Sequence, residues 1–188
     1  MIKKLHLKFY LILSILSISI NAQARLFDVE ILVFERTGAA YLNAEHWSKT
    51  LRPFNAKNGH PIPKATPFLL KSAAYSLRKN GFNILTLVRW RTNAVSKNHA
   101  PWYQLSDGRK LSGLVRISLK RYLHAEFDLK LKQHTNNSDG FSHQQTFYLK
   151  AHRKMRSKTL HYIDHPRMGV LIKIMPVTAK KPTANPPL

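Results

Sequence analysis

The chain has 188 residues, with 31 Lys or Arg against 9 Asp or Glu, a formal net charge of +22, and no cysteine. The missing cysteine excludes disulfides, thiol nucleophiles, thiolate metal sites and a lipidated cysteine. So basic a surface seeks polyanions, through contacts that weaken with salt.

The amino terminus carries a positive cluster of Lys3, Lys4 and Lys8. Phe9 to Ile20 is apolar apart from Ser14, Ser17 and Ser19, and Ala22-Gln23-Ala24 has the form of an A-x-A cleavage site. This layout predicts a secretory signal peptide over residues 1–24, cleaved after Ala24. The apolar run of 12 residues is too short for a spanning helix, which needs about 20. Losing three lysines leaves residues 25–188 with 28 basic and 9 acidic side chains, a net of +19. The expected product is a basic periplasmic protein with no integral membrane segment and no contact with nucleic acid. Its anions would be wall carboxylates, lipopolysaccharide phosphates, anionic lipid headgroups or an acidic protein.

Leu26 to Arg36 reads as a strand, apolar on both phases toward its end and therefore covered twice. Thr37 to Ala65 is irregular, punctuated by Pro53, Gly59, Pro61 and Pro63. A helix is predicted from Thr66 as N-cap, with Pro67 in the first position and Gly81 beyond the last turn. Leu69, Leu70, Ala73 and Leu77 give it an apolar face. Phe82 to Trp90 is a second internal strand, and Trp90 is a core residue. Thr92 to Lys110 reads as a connection, with Pro101 and an Asp107-Gly108 turn.

The clearest alternation runs from Leu114 to Lys132, with one core face and one wet face. It reads as a single long strand that bends at Arg121 through a bulge. Thr135 to Gly140 is a turn, and Phe141 to Lys154 returns antiparallel. Gly169 to Ile174 is the last strand, and Lys180 to Leu188 holds three prolines. Together these elements predict an α+β fold: a mainly antiparallel sheet with one principal helix packed on a face. Residues 25–178 would form a single domain, and 179–188 a disordered Pro-rich tail.

The segment Arg153-Lys154-Met155-Arg156-Ser157-Lys158-Thr159-Leu160-His161-Tyr162-Ile163-Asp164-His165-Pro166, followed by Gly169-Val170-Leu171-Ile172-Lys173-Ile174, resembles the signature of the CsiV family. Phe27 to Phe34, Gly81 to Leu85 with Trp90, and Gly113 with Arg121 to His124, Asp128 and Leu129 resemble that family's opening strand, helix-to-strand passage and long strand. The chain departs from the pattern at Thr159, where an acidic residue is usual, and at Arg167, where a bulky apolar one is. The resemblance implies a non-catalytic periplasmic peptidoglycan-binding protein that supports cell-wall biogenesis and cell shape. It implies no cofactor. Peptidoglycan would be the ligand, and a peptidoglycan synthase or its lipoprotein activator a protein partner.

The residues offer several places for such binding. His161, Asp164 and His165 could hold a metal or act as an acid–base pair; equally, Asp164 could cap a turn while Pro166 holds His165 extended. Arg153, Lys154 and Arg156 flank this motif, and Arg can grip a carboxylate bidentately. Tyr162 could stack on a sugar. Lys120, Tyr122 and His124 lie on the wet face of the long alternation, and Trp102-Tyr103 lies in a loop. The candidate ligand-binding set is Trp102, Tyr103, Lys120, Tyr122, His124, Arg153, Lys154, Arg156, His161 and Tyr162, with no catalytic or metal residue assigned. The competing readings are a zinc-dependent or acid–base enzyme of wall remodelling and a peripheral binder of lipopolysaccharide or anionic lipid.

Overall fold

Apolar side chains on both phases oblige Arg25–Glu35 (β1) to be covered on two sides. A computed structural model describes residues 25–36, 59–63, 69–136 and 142–177. The segments expected to be a signal peptide, the helix start at Thr66 and Pro67, and the tail lie outside the described residues. Within them, β1 is an inner strand of a four-stranded sheet ordered β2-β1-β8-β7, where β2 is Asn83–Ala94, β7 Leu160–His165 and β8 Met168–Pro176. A second four-stranded sheet is ordered β3-β4-β5-β6, from Trp102–Ser106, Leu111–Leu119, Leu123–Asn136 and Ser142–Met155. Every ladder is antiparallel.

The inward residues of the two sheets share one core. Val29, Ile31, Val33, Ile172 and Ile174 of the first meet Val115, Ile117, Phe127, Leu129 and Leu131 of the second, around a fully buried Trp90. The helix Lys71–Lys79 (α1) covers the opposite side of the first sheet. Leu70 and Ala74 pack there on Leu32, with Leu77, Ile84, Leu87 and Leu171 around them. These two coverings explain the doubly apolar β1. Gly81 follows α1 at φ 83°, the left-handed backbone that ends helices.

The cap of α1 comes from another element. Among the described residues, no side chain of the helix's own start caps it. The buried Glu30 carboxylate of β1 instead accepts the backbone N–H groups of Leu69 and Leu70, each at 2.7 Å. A negative charge at the positive end of the helix dipole supplies both donors with an acceptor.

The α+β expectation is overturned. Strands make up 66% of the described residues and the single described helix 8%, so the fold is mainly β, two packed four-stranded sheets. Two strands lie outside the expected elements. β3 occupies part of Thr92 to Lys110, and β7 occupies the polar motif around His161. The supposed long strand is also a hairpin. Lys120, Arg121 and Tyr122 form its turn, with the Lys120 N–H donating to the Tyr122 carbonyl at 3.1 Å. Leu119 stands opposite Leu123 and both face inward, so a three-residue turn keeps the alternation in phase and leaves no break to see. Arg121 is an exposed turn residue, with no bulge in a continuous strand. The Asp107-Gly108 turn is present, with Asp107 Oδ1 accepting from the N–H groups of Arg109, Lys110 and Leu111, each at 2.8 Å.

Candidate functional site

The outer face of the second sheet follows from the parity of its strands. Inward positions hold Ala125, Phe127 and Leu129, so His124, Glu126, Asp128 and Lys130 of β5 point out. On β6 the same parity turns Lys150, His152 and Lys154 outward, opposite Asp128, Glu126 and His124. Residues two apart on a strand lie about 6.8 Å apart, so these three form a basic ladder along one strand. β4 adds Arg116, and β3 adds Trp102 directly across from it. Lys120 and Tyr122 overhang from the hairpin turn.

The aromatic rings here carry cations. Arg116 lies 4.3 Å from the centre of the Trp102 ring, and Lys154 Nζ lies 3.4 Å from that of Tyr122. The Arg121 guanidinium also approaches Tyr122, at 5.5 Å. Such contacts hold a cation in place where the quadrupole favours it. One face of each ring is thereby occupied, so the surface offers positioned positive charges more than bare sugar platforms. Arg116 is also ion-paired with Glu126, which accepts from Lys97 as well at 2.7 Å. These two cations hold the Glu126 carboxyl below its usual range against the opposing effect of burial. Lys120 and Lys154 make no ion pair among the described residues.

His124 and His152 complete the face. Their rings are stacked at 5.0 Å between centres, and His124 Nδ1 lies 3.0 Å from His152 Nε2. Burial pushes the His124 imidazole below its ordinary value; His152, Lys154 and Lys120 push the same way, and Glu126 opposes them. Asp128, beside this cluster, is pushed up by burial despite Lys150 opposite it.

The sequence-derived candidates divide. Trp102, Lys120, Tyr122, His124 and Lys154 meet on this outer face. Tyr103 turns inward, where it packs at 5.2 Å on Trp90 and its hydroxyl bonds Thr92 at 3.1 Å. Arg153 stands opposite Ala125, on the inward side of β6, so it and Lys154 point to opposite sides of the sheet. Arg156 lies past the end of β6, where its N–H donates to His161 Nε2 at 3.0 Å. Tyr162 belongs to the other sheet. It stacks on Phe34, donates to Asp164 at 2.7 Å and contacts Arg36.

The motif His161, Asp164 and His165 is split as well. His161 and His165 point inward from β7 and Asp164 outward, where Arg36 pairs with it at 2.7 Å. His165 is buried and accepts the Arg167 N–H at 3.1 Å. Among the described residues no group of three or more His, Asp or Glu is placed to hold a metal ion, and no helix is long and apolar enough to cross a membrane. Arg167, the departure from the family pattern, is buried with its guanidinium 4.9 Å from the Phe147 ring centre.

Lys150, His152, Arg116 and Glu126 were absent from the candidate set. Arg116 and Glu126 share the wet phase of the alternation with His124, and His152 belongs to the basic run before Met155; Lys150 follows from register, because a strand pairing with β5 presents its alternate residues beside those of β5. The first sheet offers a contrast. Its outward Arg89 and Arg91 are both engaged by Asp28, at 2.8 Å, and Arg91 holds that carboxyl below its usual range.

The described residues thus form a two-sheet β fold whose second sheet carries positioned cations on its outer face. The chain belongs to the CsiV family, whose model, described as a peptidoglycan-binding protein, matches residues 6–177. No curated protein and no solved structure matches it.

Proposed function

We propose that this protein binds peptidoglycan through the outer face of its second sheet, and does no chemistry on it. The observation that carries the reading is the set of positioned cations there: Lys154 over Tyr122, Arg116 over Trp102, and Lys120 and Lys150 beside them. Peptide stems of the wall bear carboxylates, and cations fixed in place lose less entropy on gripping them. Family membership points to the same polymer. In this reading residues 1–24 direct export and are removed after Ala24, and residues 25–178 act as one periplasmic domain. It supports wall synthesis and cell shape beside a peptidoglycan synthase or its lipoprotein activator.

Co-sedimentation with purified, protein-free sacculi across a salt series tests this. Binding should persist at about 0.15 M salt, where screening already acts over about 8 Å. Tyr122→Ala combined with Lys154→Ala should weaken it roughly fivefold, equivalent to about 1 kcal/mol. Wall fragments released during incubation, or full binding by the double variant, would count against the reading.

A further inference from the structure

His124 and His152 are two neighbouring imidazoles on a face crowded with lysines. Their facing nitrogens are 3.0 Å apart. At that distance one nitrogen must carry the hydrogen and the other must accept it. The pair can therefore hold at most one positive charge in this arrangement. A second proton would set two N–H groups against each other, beside Lys154 and Lys120.

The neighbours sharpen this. Lys154 stands across the ladder from His124, and Lys120 overhangs from the turn. Ser118 faces His124 from β4, and Glu126 faces His152 from β5. The Glu126 carboxylate is already engaged by Arg116 and Lys97. In the next row Asp128 stands against Lys150. Among the described residues, the only nearby carboxylates are thus one held by two cations and one opposed by a third. An incoming anion is what the pair lacks: it can accept from both imidazoles and offset the surrounding positive charge.

We propose that the His124–His152 pair is a carboxylate subsite, which takes a proton from solvent as a peptide-stem carboxylate arrives, so that wall binding tightens in mildly acidic solution. This deepens the wall-binding reading and rests on it. The linkage follows directly. An anion placed at the pair stabilises its charged form and raises its proton affinity, so each proton taken up strengthens binding as pH falls. The limit is about tenfold in affinity per pH unit for one proton. Stem carboxylates ionise near pH 4, so they stay charged between pH 5.5 and 8.

The test is sacculus co-sedimentation of the protein produced from its full-length chain, at pH 8 and pH 5.5 and constant ionic strength. Wild type should bind about tenfold tighter at pH 5.5, within the one-proton limit. His124→Gln combined with His152→Gln should bind equally at both pH values, and His99→Gln, at an exposed loop histidine, should keep the full difference. Circular dichroism verifies that the variants fold. Wild-type binding that ignores pH, or a double variant that retains the difference, overturns the subsite and leaves wall binding standing. A difference that survives on carboxyl-amidated sacculi overturns the carboxylate assignment. No sedimentation at any pH overturns the wall reading, and the subsite is then judged by NMR. Poly-L-glutamate should raise the titration midpoints of His124 and His152 beyond those of His60 and His99; equal shifts overturn the pair as an anion site.

Discussion

At the scale of single residues, Gly169 shows how one contact fixes a local arrangement. It sits on β8 opposite Phe34, whose ring atoms stand where an added Cβ would be placed. Phe34 in turn packs edge-on against Phe82 at 5.2 Å and stacks on Tyr162 at 6.3 Å, so it has nowhere to retreat. Gly169→Ala is expected to destabilise the fold by about 1–3 kcal/mol, the usual cost of overpacking. Shortening the ring should relieve it: Phe34→Leu together with Gly169→Ala should cost clearly less than the sum of the two single changes. Denaturant unfolding of the four proteins measures this, and strict additivity would show that the ring is not the obstacle. The glycine was visible in the sequence, but only as the first residue of a strand. The pairing that brings Phe34 over it spans the chain and leaves no local trace.

Among the elements, the hairpin of β7 and β8 carries a pH dependence. His165 ends β7, accepts the Arg167 N–H within the turn, and is buried. Burial depresses its imidazole to about 4, with Arg36 and Arg167 adding to the effect and Asp164 opposing it. Unfolded, the same group titrates near 6.5. As pH falls through that value the unfolded chain takes up the proton first, while the folded chain resists until about 4. Stability therefore drops between about pH 6.5 and pH 4, by an amount on the order of 3 kcal/mol. His165→Asn keeps an acceptor for the turn and carries no titrating group, so its stability curve should lack this part of the acid slope. Equal slopes in urea titrations at pH 7, 5.5 and 4 would refute the assignment.

Legibility at this scale depended on where the defining contacts lie. β1 and Trp90 could be read because apolar residues on both phases announce double burial. Part of α1 could be read from its 3–4 spacing and Gly81, but not the Glu30 carboxylate that accepts its first N–H groups, since Glu30 is 40 residues from Leu70. β3 spans only five residues between Pro101 and the Asp107 turn, too few for alternation to stand out. The β4–β5 turn vanished because its three residues preserve parity. Lys120, Tyr122 and His124 were readable for the same reason: they continue the wet phase of β4 through the turn into β5. Arg153, Lys154 and Arg156 looked like one patch along the sequence, yet a strand sends neighbours to opposite faces.

Across the whole molecule, the question is whether the surplus of positive charge acts as a diffuse cloud or through one face. Over residues 25–188 the net of +19 is large enough to adhere to any polyanion without a site. The ion pairs argue for a face. Asp28 is shared by Arg89 and Arg91 on the first sheet, whereas Lys120 and Lys154 make no ion pair on the second among the described residues. Two variants of equal net charge separate the cases. Lys150→Glu with Lys154→Glu reverses two rungs of the β6 ladder; Lys71→Glu with Lys79→Glu reverses two exposed lysines on α1, across the first sheet from the ladder. The α1 change is nearly neutral for the helix, since an acid suits its first turn and disfavours its last. At about 0.15 M salt, long-range attraction is screened beyond about 8 Å, so contacts at the binding face should dominate. The β6 variant should lose tenfold or more in affinity for sacculi, about 1.4 kcal/mol or above, while the α1 variant should stay within about twofold. Equal losses in the two proteins would mean that the wall senses only the total charge, and the cationic face would have no special claim on it.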